Sequence, residues 1–321
     1  MTTGIIAGVD VGGTAIKIAL FDQAGSMLLK TQEPTPVAGG VDAIIESVHK
    51  TIQHLISQLN TPDVQLLGIG VGVPGFVDNK SGIVFEAVNL HWKTHVPLRE
   101  KLEHLTKVPV YVGNDANNAA LGEMWQGAGQ GATDLVAITL GTGVGGGVIV
   151  EGRVIQGVTG AGGEIGHITV EPTGGPPCNC GKTGCLENYA SATGIIREGM
   201  RVAKDQSSPF LAERLSTNGK VNAKDVFDAA LAGDEAALAI VDQAAHYLGF
   251  GLSQLANILN PAKIVIGGGV SAAGDFLFDR IRQSFQKFTL PIAFRACEIL
   301  PATTGNDAGV IGAAWLVHSQ Q

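Results

Sequence analysis

The chain has 321 residues, enough for about two domains with cores of their own. Charged residues make up 16% and the formal net charge is −8, with no cluster of Lys and Arg to track a phosphate backbone, so duplex nucleic acid is not an expected partner. The N-terminus reaches Asp10 without a basic stretch or a long apolar run, so neither a signal peptide nor a membrane span is expected, and free cysteines without an export signal point to the reducing cytoplasm.

Residues 4–10 read as a buried strand. Val11-Gly12-Gly13-Thr14 then turns the chain, and Ile16 to Phe21 returns as a second strand. A glycine-tipped hairpin leaves backbone N–H groups free at its apex, a common way to hold a phosphate. Thr14 adds a hydroxyl, Lys17 a positive charge, and Asp10 stands where a carboxylate can orient hydrated Mg²⁺. An ordinary Gly-Gly hairpin, with Asp10 merely closing a strand, accounts for the same residues. Met27 to Gln32 reads as a third strand. Val41 to Leu59 is a helix whose apolar residues, from Ile44 to Leu59, share one face, with Asn60 and Pro62 as its stop. Leu66 to Val73 is a buried strand ending in a Pro74-Gly75 turn, at the sheet edge where open α/β folds bind ligands. Asn89-Leu90-His91-Trp92 sets a polar pair beside an aromatic, a composition that suits a carbohydrate and equally any loop.

Val108 to Val112 is a strand running into Gly113-Asn114-Asp115, and a helix follows from about Ala116 to Trp125. Asp115 therefore faces the same edge as Pro74-Gly75, either as a functional carboxylate or as a helix cap. Leu135 to Leu140, Gly141-Thr142-Gly143 and Gly145 to Val150 form a second glycine-tipped hairpin. A duplicated βββαβα unit explains the echo, with one phosphate loop from each half facing across a cleft.

Three of the four cysteines, Cys178, Cys180 and Cys185, follow His167 within a Gly/Pro-rich stretch. Thiolate and imidazole ligands separated by turn residues suit tetrahedral zinc, and a Cys3His set leaves no open position, which makes such a site structural. A disulfide competes with this, against an odd cysteine count. Unligated core thiols compete too, against a loop that holds Pro176 and Pro177. Ala190 to Ala203, Val221 to Ala232 and Glu235 to Leu259 read as helices, whereas Lys204 to Lys220 is polar and takes no element. A strand at Lys263 to Ile266 leads into Gly267-Gly268-Gly269, where a flat group such as a purine can lie against the backbone, or where the chain simply turns. Phe276 to Phe288 is a helix and Glu298 to Leu300 a short strand. Asp307 to His318 is a final apolar helix able to return to the first half.

Asp10-Val-Gly-Gly-Thr14 with Lys17, Gly113-Asn-Asp115, Glu164-Ile-Gly-His167 and the Cys-x-Cys-Gly-x-x-Gly-Cys-x-Glu run ending at Glu187 together make the chain resemble the ROK-family sugar kinases, its glucose-phosphorylating members above all, over nearly its whole length. The resemblance implies an actin-like ATPase (ribonuclease H-like) fold, with two α/β domains around a cleft. One would be residues 1–117 plus 305–321 and the other 118–304 with the zinc loop. It implies ATP-dependent conversion of D-glucose to glucose 6-phosphate, with Asp115 as the base. N-acetylmannosamine or N-acetylglucosamine kinases share the motifs, as do non-catalytic sugar-binding and repressor members. Repressors carry a helix-turn-helix segment before the first hairpin, for which the strand starting at Ile5 leaves no room. By the same resemblance Gly75, Asn89, Asn114, Glu164, His167 and Glu187 bind the sugar, and Gly12, Gly13, Thr14, Gly141, Thr142 and Gly143 hold the phosphates with Mg²⁺ near Asp10. Gly268 and Gly269 support adenosine, structural zinc shapes the sugar wall, and the protein is a homodimer.

Overall fold

In the computed structural model, which describes residues 3–59, 61, 63–93 and 95–320, two five-stranded sheets repeat one topology. The first half runs β1 (Thr3–Val11), β2 (Ala15–Asp22), β3 (Met27–Pro34), α1 (Gly40–Gln58) and β4 (Val64–Val73). Three short strands follow, β5 (Phe76–Asp78), β6 (Ile83–Glu86) and β7 (Val96–Pro97), then α2 (Leu98–Thr106), β8 (Val110–Asn114) and α3 (Asp115–Gln126). The second half begins with β9 (Leu135–Leu140), β10 (Val144–Val150) and β11 (Arg153–Val154). After the cysteine stretch come α4 (Glu187–Ala190), α5 (Ala192–Lys204), α6 (Pro209–Asn218), α7 (Ala223–Leu231) and α8 (Glu235–Leu259). The chain closes with β12 (Lys263–Gly267), α9 (Asp275–Phe288), α10 (Pro291–Ala296), β13 (Glu298–Pro301) and α11 (Ala308–His318).

The sheets are ordered β3-β2-β1-β4-β8 and β11-β10-β9-β12-β13. In each, the first three strands meander antiparallel and the last two join parallel to the first, as in β1 with β4 and β9 with β12. Parallel neighbours need a crossover, and α1 and α8 supply it. The expected duplication is thus present strand for strand. The inner strands are buried on both faces, which is why β1, β4, β9 and β12 read as unbroken apolar runs rather than alternating ones. Each sheet has its own core, Ile5, Val9, Ile52 and Val71 in the first and Ile138, Val241, Leu252 and Phe278 in the second.

Helix α1 buries Ile44, Ile45, Val48, Ile52 and Leu55, the face expected of it; its expected stop, Asn60 and Pro62, lies outside the described residues. The polar stretch after Lys204, left without an element, holds a helix: Ser208 caps the Leu211 N–H, Pro209 occupies the first turn, and Gly219 ends it at φ 68°. Its few buried side chains gave no periodic signal. Trp92 is 4% exposed and belongs to the first core, so it offers no aromatic face to a ligand.

Helix α11 crosses back to the first half and fits by backbone contact. A Cβ at Gly8 would land on the Val310 carbonyl, one at Gly70 on that of Ala313, and one at Gly312 on the Asn118 carbonyl of α3. With β1 and β4 on one side and α3 on the other, α11 is apolar all round. None of the described helices is long and apolar enough to cross a membrane.

Candidate active site

The carboxyl ends of β1, β8 and β12 and the hairpin β9–β10 meet around a cleft containing two cavities. The larger, about 680 Å³, is lined by Asp10, Gly12 and Lys17 from the first half and by Thr139, Gly145 and Gly267 to Gly269 from the second. The smaller, about 260 Å³, is lined by Gly75, Asn89, Asn114 and Glu164 among others. Asp115, Ala116 and Gly145 line both. Asp115 therefore stands on the wall where the two spaces join.

Asn114 explains how Asp115 is free to do so. The side-chain oxygen of Asn114 accepts the Asn117 N–H at 3.1 Å and caps α3, while its amide donates to the Gly75 carbonyl at 3.0 Å. Capping thus falls to the preceding residue, and Asp115 accepts the neighbouring Ala116 N–H at 2.8 Å. Burial, together with the negative charges of Asp10 and Glu164, pushes its carboxyl up to about 6. Burial also raises Asp10, against the pull of Lys17. A Cβ at Gly309 would sit 2.8 Å from Asp10, so the first turn of α11 passes directly over that carboxylate. The Lys17 ammonium donates to the Asn306 carbonyl at 2.7 Å.

Of the residues expected to bind nucleotide, Asp10, Gly12, Lys17, Gly268 and Gly269 line the larger cavity. Gly268, at φ 89°, could not carry a side chain, because its Cβ would strike the Leu140 backbone. Gly13, Thr14, Gly141, Thr142 and Gly143 form the hairpin tips and do not line it. Of the residues expected to bind sugar, Gly75, Asn89, Asn114 and Glu164 are gathered at the smaller cavity, whereas His167 and Glu187 are not part of its lining. The Glu187 carboxylate instead accepts the Val144 N–H at 3.0 Å, at the base of the second hairpin.

His167, Cys178, Cys180 and Cys185 come together with their ligand atoms all within 4.8 Å of one another. Zn–S bonds of about 2.3 Å at tetrahedral angles require sulfur separations near 3.8 Å. Cys180 Sγ and Cys185 Sγ are 3.6 Å apart, and Cys178 Sγ is 3.5 Å from His167 Nδ1. Cys178, Cys180 and Cys185 are free thiols and form no disulfide. Turns at Gly181 (φ 88°) and Gly184 (φ 67°) bring the sulfurs inward. With Nδ1 toward the cluster, Nε2 of His167 points toward Glu164, 3.9 Å from Oε2.

Several lining residues escaped the sequence reading. Glu123, 3% exposed in α3, accepts the Thr304 N–H at 2.9 Å, the Ala128 N–H at 2.9 Å and the Thr304 hydroxyl, tying α3 to the segment before α11. A lone carboxylate among Ala120, Leu121 and Met124 was the available signal. Gly160, Gly162 and Gly163, also unread, line the smaller cavity, and Gly160 packs on the backbone of Val77 in the first half.

The ROK family profile matches residues 6–320. The chain is 51% identical to a glucokinase of Halalkalibacterium halodurans, over 98% of this chain and 95% of that protein. Its fold superposes on a ROK hexokinase from Thermus thermophilus with TM-score 0.84 at 33% identity, covering 98% of both chains. It also matches a ROK family glucokinase from Streptomyces griseus, solved with glucose and AMPPNP, with TM-score 0.76 at 35% identity, covering 98% of this chain and 99% of that one. The two-sheet architecture is accordingly the actin-like ATPase fold.

Proposed function

The chain belongs to the ROK family, and from that premise we propose that it is a glucokinase, transferring the terminal phosphoryl group of ATP to the 6-hydroxyl of D-glucose. The observation that carries this reading is the position of Asp115 on the wall shared by the two cavities. A hexose in the smaller space and a nucleotide in the larger would meet there, and there alone is a proton acceptor needed.

A sugar hydroxyl is a poor nucleophile until its proton has somewhere to go. Asp115 takes that proton as the sugar oxygen bonds to phosphorus and the bond to the ADP oxygen breaks. With its carboxyl raised to about 6 it is ionised at neutral pH, yet is a stronger base than an ordinary aspartate. Asn89, Asn114 and Glu164 offer amide and carboxylate partners to adjacent hydroxyls, and Nε2 of His167 is placed beside Glu164 to join them. On this reading Gly12, on the wall of the larger cavity, and the hairpin tips Gly13, Thr14, Gly141, Thr142 and Gly143 beyond its lining hold the phosphates, while Gly268 and Gly269 within it admit the adenosine. Asp10 is placed to hold Mg²⁺, which offsets phosphate charge when bound. His167, Cys178, Cys180 and Cys185 fit structural zinc, whose chemistry is to fix the ligand loop. The same reading divides the chain into a domain of 1–117 with 305–321 and one of 118–304, which the separate cores of the two sheets support, and makes the protein a cytoplasmic homodimer.

An ADP-release assay across glucose, mannose, N-acetylglucosamine and N-acetylmannosamine tests the reading. Turnover fastest on glucose is the expected result. Preference for an N-acetylated sugar would reassign the substrate, and no turnover on any would overturn the kinase.

A further inference from the structure

The two glycine hairpins belong to different halves of the molecule, yet each is held from behind in the same way. In the second, the Ala192 N–H donates to the Gly141 carbonyl at 2.8 Å and the Thr193 hydroxyl to the Thr142 carbonyl at 2.7 Å. Gly141 N–H donates to the Gly143 carbonyl and Val144 N–H to Glu187, both at 3.0 Å. From the Gly141 N–H to the Val144 N–H, only the N–H groups of Thr142 and Gly143 find no acceptor among the described residues. A trans peptide sets its N–H opposite its C=O. Carbonyls 141 and 142 are turned toward the start of α5, so the N–H groups of 142 and 143 face the other way.

At the first hairpin, the Thr35 hydroxyl donates to the Gly12 carbonyl at 2.6 Å and the Thr35 N–H to the Thr14 carbonyl at 3.1 Å. Gly12 N–H closes the turn on the Ala15 carbonyl at 2.9 Å, and the N–H groups of Gly13 and Thr14 are left without an acceptor among the described residues. Two threonines from unrelated elements, one after β3 and one in α5, thus make the same bond to the same kind of target.

We propose that Thr35 and Thr193 are positioning residues of the nucleotide site, each hydroxyl locking a hairpin carbonyl outward so that the opposing N–H groups are presented to a phosphate. The inference rests on the kinase reading for the identity of the anion. Neither threonine touches substrate. Each removes a rotation that the flexible glycine tip would otherwise lose only on binding, so the site is organised in advance. Glu187, which takes the Val144 N–H of the same hairpin, and Thr193 both lie just after the Cys3His segment in the chain.

The test uses the full-length, zinc-loaded protein and the variants Thr35→Val, Thr193→Val and Thr193→Ser. AMPPNP binding with Mg²⁺ and glucose binding are measured by calorimetry, and KM for each substrate by steady-state rates. Each valine variant should weaken AMPPNP about tenfold, the value of one lost hydrogen bond, and raise KM for ATP alike, with glucose affinity unchanged. Thr193→Ser, which keeps the hydroxyl, should restore wild-type affinity. Thr193 is exposed and Thr35 lies in the other half, so either valine variant alone decides the matter if the other fails to fold. Unchanged AMPPNP affinity, an equal loss for glucose, or failure of serine to rescue would overturn the inference. If the wild type binds no AMPPNP at all, it is the kinase reading that falls, and this inference falls with it.

Discussion

A carboxylate that must accept a proton works best when its own proton affinity has been raised, and burial beside Asp10 and Glu164 raises that of Asp115, the base in the proposed reaction. The same shift costs stability. Below pH about 4 the carboxyl is protonated whether or not the chain is folded. Between 3.8 and about 6 the folded form keeps the proton that the unfolded form has released, so stability falls as pH rises through that window, and the full cost persists above it. The displacement corresponds to something on the order of 2 kcal/mol, allowing for partial access to the cleft. Asp115→Asn should therefore raise the thermal midpoint more at pH about 8 than at pH about 5, while lowering kcat by roughly 10²–10⁴-fold with glucose affinity retained. In the wild type kcat should drop as pH falls through about 6. A variant that keeps the rate, or gains no stability at the higher pH, removes Asp115 from the role of base. The sequence placed this residue at a strand end but left it torn between capping and chemistry. The coordinates give the cap to the neighbour, Asn114, whose side chain accepts the Asn117 N–H, which leaves the Asp115 carboxylate available for the proposed role. Side-chain hydrogen bonds of that kind have no periodic signature and become visible only with coordinates.

Elements that announce themselves by long apolar runs or one-sided helices were legible: β9 and α8 span the expected residues, and β1, β4, α1 and α9 lie within two residues of expectation at each end. Those that bury little were not, and α2, α6, α10 and the small sheet β5-β6-β7 went unread. The Cys3His cluster was legible for a different reason, because the spacing of His167, Cys178, Cys180 and Cys185 follows ligand chemistry rather than burial. Cys180→Ser should release the metal, measurable as zinc per chain, and lower glucose affinity about tenfold or more, as loss of support behind a site commonly does. Metal lost with glucose affinity intact would separate the loop from the sugar wall. Helix α11 makes the complementary case, since its composition showed it was buried but not how closely. Gly312 sits against the Asn118 carbonyl with no room for a methyl group. Gly312→Ala should cost about 2 kcal/mol or more by forcing α3 and α11 apart, seen as a lower urea midpoint at unchanged slope. Tolerance of alanine there would mean that the two helices are not locked.

At the scale of the molecule, the repeated hairpin was the most informative feature of the sequence. Two weak glycine motifs become specific once they belong to equivalent strands of equivalent sheets, β1–β2 and β9–β10. What the repeat could not convey is that the two cavities share a wall. Asp115, Ala116 and Gly145 belong to both cavities, and the Gly160 run from the second half rests on Val77 of the first. A ligand in either space must therefore order residues that the other ligand also uses, and the second to bind finds part of that ordering already done. Each ligand alone stabilises the fold in proportion to its occupancy. Together, glucose and AMPPNP should stabilise it by more than the sum, with a coupling of about 1–3 kcal/mol, equivalent to a 5–150-fold gain in the affinity of each for the doubly occupied protein. Calorimetric titration of each ligand with and without saturating amounts of the other measures this directly, and reciprocity requires the same factor in both directions. Strict additivity would mean that the common wall is rigid before either ligand arrives, and the cleft would then hold two independent sites.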